Sequence, residues 1–216
     1  MDYRVIDLQD DPRGAHFDYF RAMANPYVGT TVMVDVTGLL KGCRESGRPF
    51  FLSFLYCAGR AANAVPELRR RIVGDEVRQY ERCDTSHTVL RPDGSYGFCR
   101  VNCMMPFEAY LKEAAERHER AKREPEGYAE DETDLLFVSC LPWVRYVSLE
   151  LPTPVPADSN PRITWGKYAQ EGERVTMPMS LLANHALVVG RADGQLLAPA
   201  KRILRPQIRA SGCFVV

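Results

Sequence analysis

The sequence carries no excess of charge of either sign. Its 28 Lys and Arg residues are matched by 28 Asp and Glu residues, so nothing electrostatic draws it to nucleic acid or to a membrane surface. No apolar run approaches the length of a membrane span. The start, "MDYRVIDLQDDPRG", is too polar for a secretory signal. Internal repeats and low-complexity tracts are missing. So is any CxxC pair: the seven cysteines are scattered, the closest being Cys99 and Cys103. A zinc site, and a metal in general, is therefore not expected, and the cysteines read as free thiols in a reducing cytoplasm.

What remains is ordinary globular material. Hydrophobic residues make up 45% and charged residues 26% of a 216-residue chain, which suits one domain with a sizeable core. "TTVMVDVTGLL" (30–40) alternates like a half-buried strand and enters a helix near Thr37. "PFFLSFLYCAGRAANAV" (49–65) is apolar on every side behind Pro49, as a buried helix is. Gly74–Asp75 and "PDG" at 92–94 each separate short β-type runs, predicting two hairpins. In "PFEAYLKEAAERHERAKRE" (106–124), Phe107, Tyr110, Leu111 and Ala114 share one face of an amphipathic helix. "AHFDYFRAM" (15–23) reads as a short helix or turn with a greasy side. The second half reads as four β segments: "DLLFVSCLPWV", "RYVSLEL", "RITWGKYAQ" and "RVTMPMSLLANHALVV". The proline-rich loop "LPTPVPADSNP" interrupts them. One α/β domain follows, with most of the sheet supplied late in the chain.

Four histidines are candidates for acid–base chemistry. His118 lies among Glu116, Arg117, Glu119 and Arg120 and reads as solvent-exposed. His87, in a short strand, reads as structural, and His16 as a packing or turn contact. His185 differs, because it ends a long apolar strand just before Gly190. Periodicity alone favours a core histidine there and leaves a catalytic base open.

Several segments shift that balance. "AHFDYFR", "PELR" (66–69), "FVSCLPWV" (137–144), "RITWGKY" (162–168) and "EGERVTMPMSLLANHALVVG" occur in the order and spacing of the chloramphenicol acetyltransferase family, which the chain resembles over nearly all of residues 1–197. The resemblance implies a two-layer α/β sandwich with a largely antiparallel mixed sheet and helices packed on one face. It implies a homotrimer with active sites at the subunit interfaces. It also implies transfer of an acetyl group from acetyl-CoA, a co-substrate rather than a bound cofactor, to a hydroxyl of chloramphenicol, without metal or acyl-enzyme.

Residue by residue, His185 and Gly190 match a signature in which histidine is followed by three residues and Asp-Gly. In that family the histidine is the general base, a serine matched by Ser139 steadies the oxyanion, and a threonine matched by Thr164 positions a water. Trp143, Lys167 and Tyr168 match the coenzyme channel, and Tyr19, Phe20, Ala24 and Pro26 match the acceptor site. Val189 stands where the family has aspartate, whose arginine partner is matched by Arg13; Asn184 stands where a second histidine is common. The tail from 198, with Pro199 and Pro206, departs from the family's amphipathic helix. Cys140 beside Ser139 has no local partner and reads as inert. Two alternatives stay open: a family-shaped binding or scaffold protein with decayed catalysis, and an acyltransferase with a different acceptor.

Overall fold

The computed structural model describes residues 1–8, 14–124 and 132–188. The elements run β1 (Tyr3–Ile6), α1 (Gly14–Arg21), β2 (Tyr27–Asp35), α2 (Thr37–Ser46) and α3 (Phe50–Asn63). Then follow β3 (Arg70–Val73), β4 (Glu76–Tyr80), β5 (Asp84–Leu90), β6 (Tyr96–Val101) and α4 (Phe107–Ala121). The last are β7 (Leu135–Leu141), β8 (Arg162–Gly166), β9 (Ala169–Glu171) and β10 (Arg174–Asn184). The main sheet has the order β2-β10-β8-β7-β5-β6, with β9 beside β10; β1-β4-β3 form a small second sheet. Only the β5–β7 and β7–β8 pairs are parallel. Both sheets are tied together by Arg71, fully buried on β3, whose guanidinium donates to the Leu135 carbonyl on β7 at 2.7 Å. The architecture is the expected two-layer one with a mostly antiparallel sheet.

The alternation of β residues sorts the main sheet into two faces. Thr85, His87 and Val89 of β5, Leu136 and Val138 of β7, and Ile163 and Trp165 of β8 are buried in the core with α3 and α4. Trp165 packs edge-on against Phe54 of α3 at 4.9 Å. Ser86, Phe137, Ser139, Arg162 and Thr164 fall on the opposite face. α3 is buried nearly all round, as its apolar sequence requires, and each of its large side chains stabilises the fold by about 1.5–3 kcal/mol. It packs tightly at Gly59, where a Cβ would lie 2.6 Å from Cys103 Sγ and 3.0 Å from Thr85 Cγ2 of β5. Gly59→Ala is therefore expected to cost about 1–3 kcal/mol through overpacking, readable as a lower urea midpoint with an unchanged m-value.

Both hairpins, the amphipathic α4 and the buried α3 form where the pattern predicts them. Three β expectations differ. Residues 145–151, "RYVSLEL", form no strand. β7 and β8 already have neighbours on both edges, so no ladder is open to them. Instead Tyr146 tucks behind Gly166, donating its hydroxyl to Thr164 O at 2.9 Å. "RITWGKYAQ" splits at Lys167–Tyr168 into β8 and β9. "RVTMPMSLLANHALVV" ends its strand at Asn184, and Pro178, with no N–H to give, falls in the gap between the β9 and β8 ladders.

Candidate active site

Of the cavities among the described residues, two lie against opposite faces of the main sheet around Ser139. On the helix side a cavity of about 830 Å³ is walled by Phe50, Phe51 and Trp165 and carries Trp143, Lys167 and Tyr168 at its rim. Trp143 is 66% exposed and Tyr168 39%, an unusual outlay of aromatic surface unless something covers it. The three residues matched to the coenzyme channel thus share one cavity. On the other face a cavity of about 360 Å³ is lined by Phe98, Phe137, Glu132, Arg162 and Thr164, beneath Leu151 and Pro152. Thr88 and Ser139 line both. The reason is in the register: the parallel β5–β7 ladder ends at the His87–Val138 pair, and Thr88 and Ser139 are the next residues on each strand. Where the ladder stops, the sheet opens and the two cavities meet at a serine.

Thr164 is the register partner of Ser139 across β7–β8. Its hydroxyl is buried and has no hydrogen-bond partner among the described residues. Cys140, one residue on from Ser139, is unsuited to nucleophilic work because burial pushes its thiol up to about 11, leaving almost no thiolate at neutral pH. None of the six described cysteines forms a disulfide.

His185 stands in the turn directly after β10, half-buried. Its Nδ1 is 2.9 Å from Val188 O. A carbonyl only accepts, so Nδ1 carries the proton and Nε2 presents a lone pair. The backbone N–H of His185 is held by Pro26 O at 2.7 Å, and its ring stacks on Phe20 at 3.9 Å. Phe20 meets Tyr19 edge-on; Tyr19 and Ala24 are exposed and Pro26 is buried. Of the residues matched to the acceptor site, Phe20 and Pro26 thus touch His185 directly and Tyr19 reaches it through Phe20.

Asn184, which stands where a second histidine is common in the family, fixes the turn that carries His185. Its Oδ1 accepts from Ala186 N–H and its Nδ2 donates to Asp158 O, both at 3.1 Å. Asp158 in turn takes a bidentate pair from Arg162 at 2.7 and 2.9 Å and the Tyr27 hydroxyl at 3.0 Å. Burial first, and then the Asp158 charge, push Tyr27 up to about 12, so it stays a donor. Sequence reasoning missed Tyr27, Asp158 and Arg162, since their association spans 131 positions along the chain. Arg13, Val189, Gly190 and the tail from 198 lie outside the described residues.

His185 is not beside Ser139 within one chain. It lies five positions beyond Ser180, the β10 partner of Thr164, which is about 17 Å along an extended strand.

Two histidine expectations are corrected. His16 does not pack; it is exposed on α1. His118 is not solvent-exposed: it falls on the buried stripe of α4 between Ala114 and Ala121, and its Nδ1 lies 3.0 Å from Nε2 of the wholly buried His87. That i, i+4, i+7 spacing was available in the sequence; the flanking charges obscured it. Burial, and then His118, lower the His87 pKa from 6.5 to about 3. The unfolded chain therefore binds a proton that the folded chain refuses. Stability is intact above pH 6.5 and is lost as pH falls toward 3, at about 1.4 kcal/mol per unit. Urea midpoints measured from pH 7 to 4 should show this slope, and His87→Gln should flatten it by one proton.

The chain thus carries a serine shared by two cavities, one of them aromatic-rimmed, and an imidazole whose Nδ1–H is committed to a carbonyl. The chain matches the family model "Chloramphenicol acetyltransferase" over residues 1–199, and it belongs to that family. It is 27% identical to a chloramphenicol acetyltransferase of a Klebsiella species, over 90% of each chain. It is 29% identical to chloramphenicol acetyltransferase 3 of Escherichia coli, over 88% of this chain and 91% of the other. A solved chloramphenicol acetyltransferase superposes with a TM-score of 0.85 at 24% identity, covering 95% of this chain and 99% of the other. A probable dihydrolipoamide acetyltransferase from Listeria monocytogenes shares the fold at a TM-score of 0.68 and 16% identity, covering 94% and 93%. No helix among the described residues is long and apolar enough to cross a membrane, and they contain no cluster of three metal-binding side chains.

Proposed function

We propose that the chain works as one acetyltransferase domain. It moves an acetyl group from acetyl-CoA to a hydroxyl of chloramphenicol or a similar small acceptor, in a homotrimer whose sites lie between subunits. The observation that carries this reading is the meeting of the two cavities at Ser139. The coenzyme enters along Trp143, Lys167 and Tyr168 and presents its thioester there. The acceptor comes from the opposite face. A histidine about 17 Å away along β10 cannot serve that serine within its own chain, so His185 of a second copy completes the site.

The reaction then runs in two steps. His185 Nε2 takes the proton of the acceptor hydroxyl as its oxygen attacks the thioester carbonyl carbon. The carbonyl oxygen becomes an oxyanion that accepts a hydrogen bond from Ser139 Oγ–H, with a water held by the Thr164 hydroxyl alongside. The intermediate collapses, the carbon–sulfur bond breaks, and the departing thiolate recovers the proton from the imidazolium. The thioester is already activated, so neither acyl-enzyme nor metal is needed.

The acceptor cavity also supports a different acceptor. Glu132 and the Asp158-paired Arg162 bring charged groups to its wall beside Phe98 and Phe137, a more polar lining than an aromatic ring alone requires. A thiol-release assay with acetyl-CoA and a panel of chloramphenicol, other alcohols and amines tests both readings. Acceptor-dependent release with chloramphenicol is expected. Release with another acceptor alone would move the assignment to it, and no release with any acceptor would favour a non-catalytic binding protein.

A further inference from the structure

The acyl-transfer reading leaves a pair of imidazoles unused. His87 is completely buried on the helix-facing side of β5. Its ring lies 5.3 Å from that of His118, nearly parallel at 16°, and Phe51 packs across both. His118 belongs to the wall of the 830 Å³ cavity that also holds Ser139 and Trp165. The single N···N bond between the rings contains one proton, and two arrangements are conceivable. If His118 Nδ1–H donates, His87 must carry its own proton on Nδ1, which is buried and has no partner among the described residues. If His87 Nε2–H donates, His87 Nδ1 is merely a lone pair. An orphaned buried N–H is rarer and costlier than an unused acceptor, so the second arrangement prevails. His118 then holds its proton on Nε2, the nitrogen opposite to the one turned toward His87. Burial lowers both rings' affinity for a second proton, so the pair stays neutral at pH 7.

We propose that His87 fixes the tautomer of His118 so that His118 Nε2–H hydrogen-bonds an amide carbonyl oxygen of the pantetheine arm of coenzyme A. His118 is thereby a binding residue and His87 the residue that positions it. This rests on the reading of the cavity as the coenzyme channel. The chemistry of the wall selects the amide over the phosphates. Lys167 is the only cation among its described lining residues, and Phe51 packs against the His118 ring, while Lys122 and Glu119 act on that ring from its own helix. A neutral donor set in apolar wall suits a neutral oxygen, whereas phosphate calls for cations and water.

Two measurements test it. Long-range proton–nitrogen correlation spectra of the free protein at neutral pH should show both rings protonated at Nε2; a proton on Nδ1 of His118 overturns the proposal. This readout needs no ligand and is independent of the acyl-transfer reading. Calorimetric titration with coenzyme A should then show His118→Phe binding about tenfold more weakly, and His118→Gln, which keeps an N–H donor, within about twofold of wild type. Unchanged binding by His118→Phe overturns the proposal, as does an equal loss in both variants, which would mean that ring shape matters rather than the donor. Wild type that has the expected tautomers and yet binds no coenzyme A overturns the reading of the cavity, and the proposed ligand with it.

Discussion

Replacing His185 with alanine is expected to lower kcat by ~10²–10⁴, with little change in KM for acetyl-CoA. The magnitude follows from the chemistry. An alcohol is far too weak an acid to ionise at neutral pH, and only a base held in one tautomer at the right distance removes its proton in the transition state. His185 has the needed preparation: Nδ1–H is committed to Val188 O, the ring is backed by Phe20, and the backbone is held by Pro26. KM should be spared because proton removal is an interaction made in the transition state and not in the ground-state complex. Steady-state thiol release with both substrates varied separates the two constants. Retention of more than about a tenth of wild-type kcat in His185→Ala would remove the base from the mechanism.

Ser139→Ala should lower kcat by ~10²–10³, the usual worth of one oxyanion donor. The stronger test is to combine the two variants. If each site takes His185 from one subunit and Ser139 from the next, mixed trimers of His185→Ala and Ser139→Ala chains contain some interfaces with both groups intact. Random mixing makes that about a quarter of the sites, so co-expressed mixtures should recover activity one to two orders of magnitude above either parent. If His185 and Ser139 acted within one chain, every site in the mixture would lack one of them and no recovery would appear. Sedimentation of the wild type as a monomer at assay concentration would contradict the shared site from the other side.

Much of this protein is local enough to read from the chain. α3 is legible because fourteen residues offer no polar face, and α4 because its apolar residues repeat at helical spacing. Both hairpins announce themselves through glycine turns. The matched segments bring Ser139, Thr164 and His185 forward in order. Reading failed where the outcome depended on neighbours distant in sequence. "RYVSLEL" has the composition of a strand but finds no free edge, because β7 and β8 are already paired on both sides. His118 has the flanks of a surface residue but meets a buried imidazole 31 positions away.

Element type and the identity of the reactive side chains follow from periodicity and residue chemistry, which are properties of short stretches. The opening at Ser139, the Tyr27–Asp158–Arg162–Asn184 clamp and the separation of His185 from the serine arise only when strands are brought into register. A ladder one residue longer would pair Ser139 and close the sheet over it, and no local pattern encodes where a parallel pair, formed across some fifty residues, comes to an end.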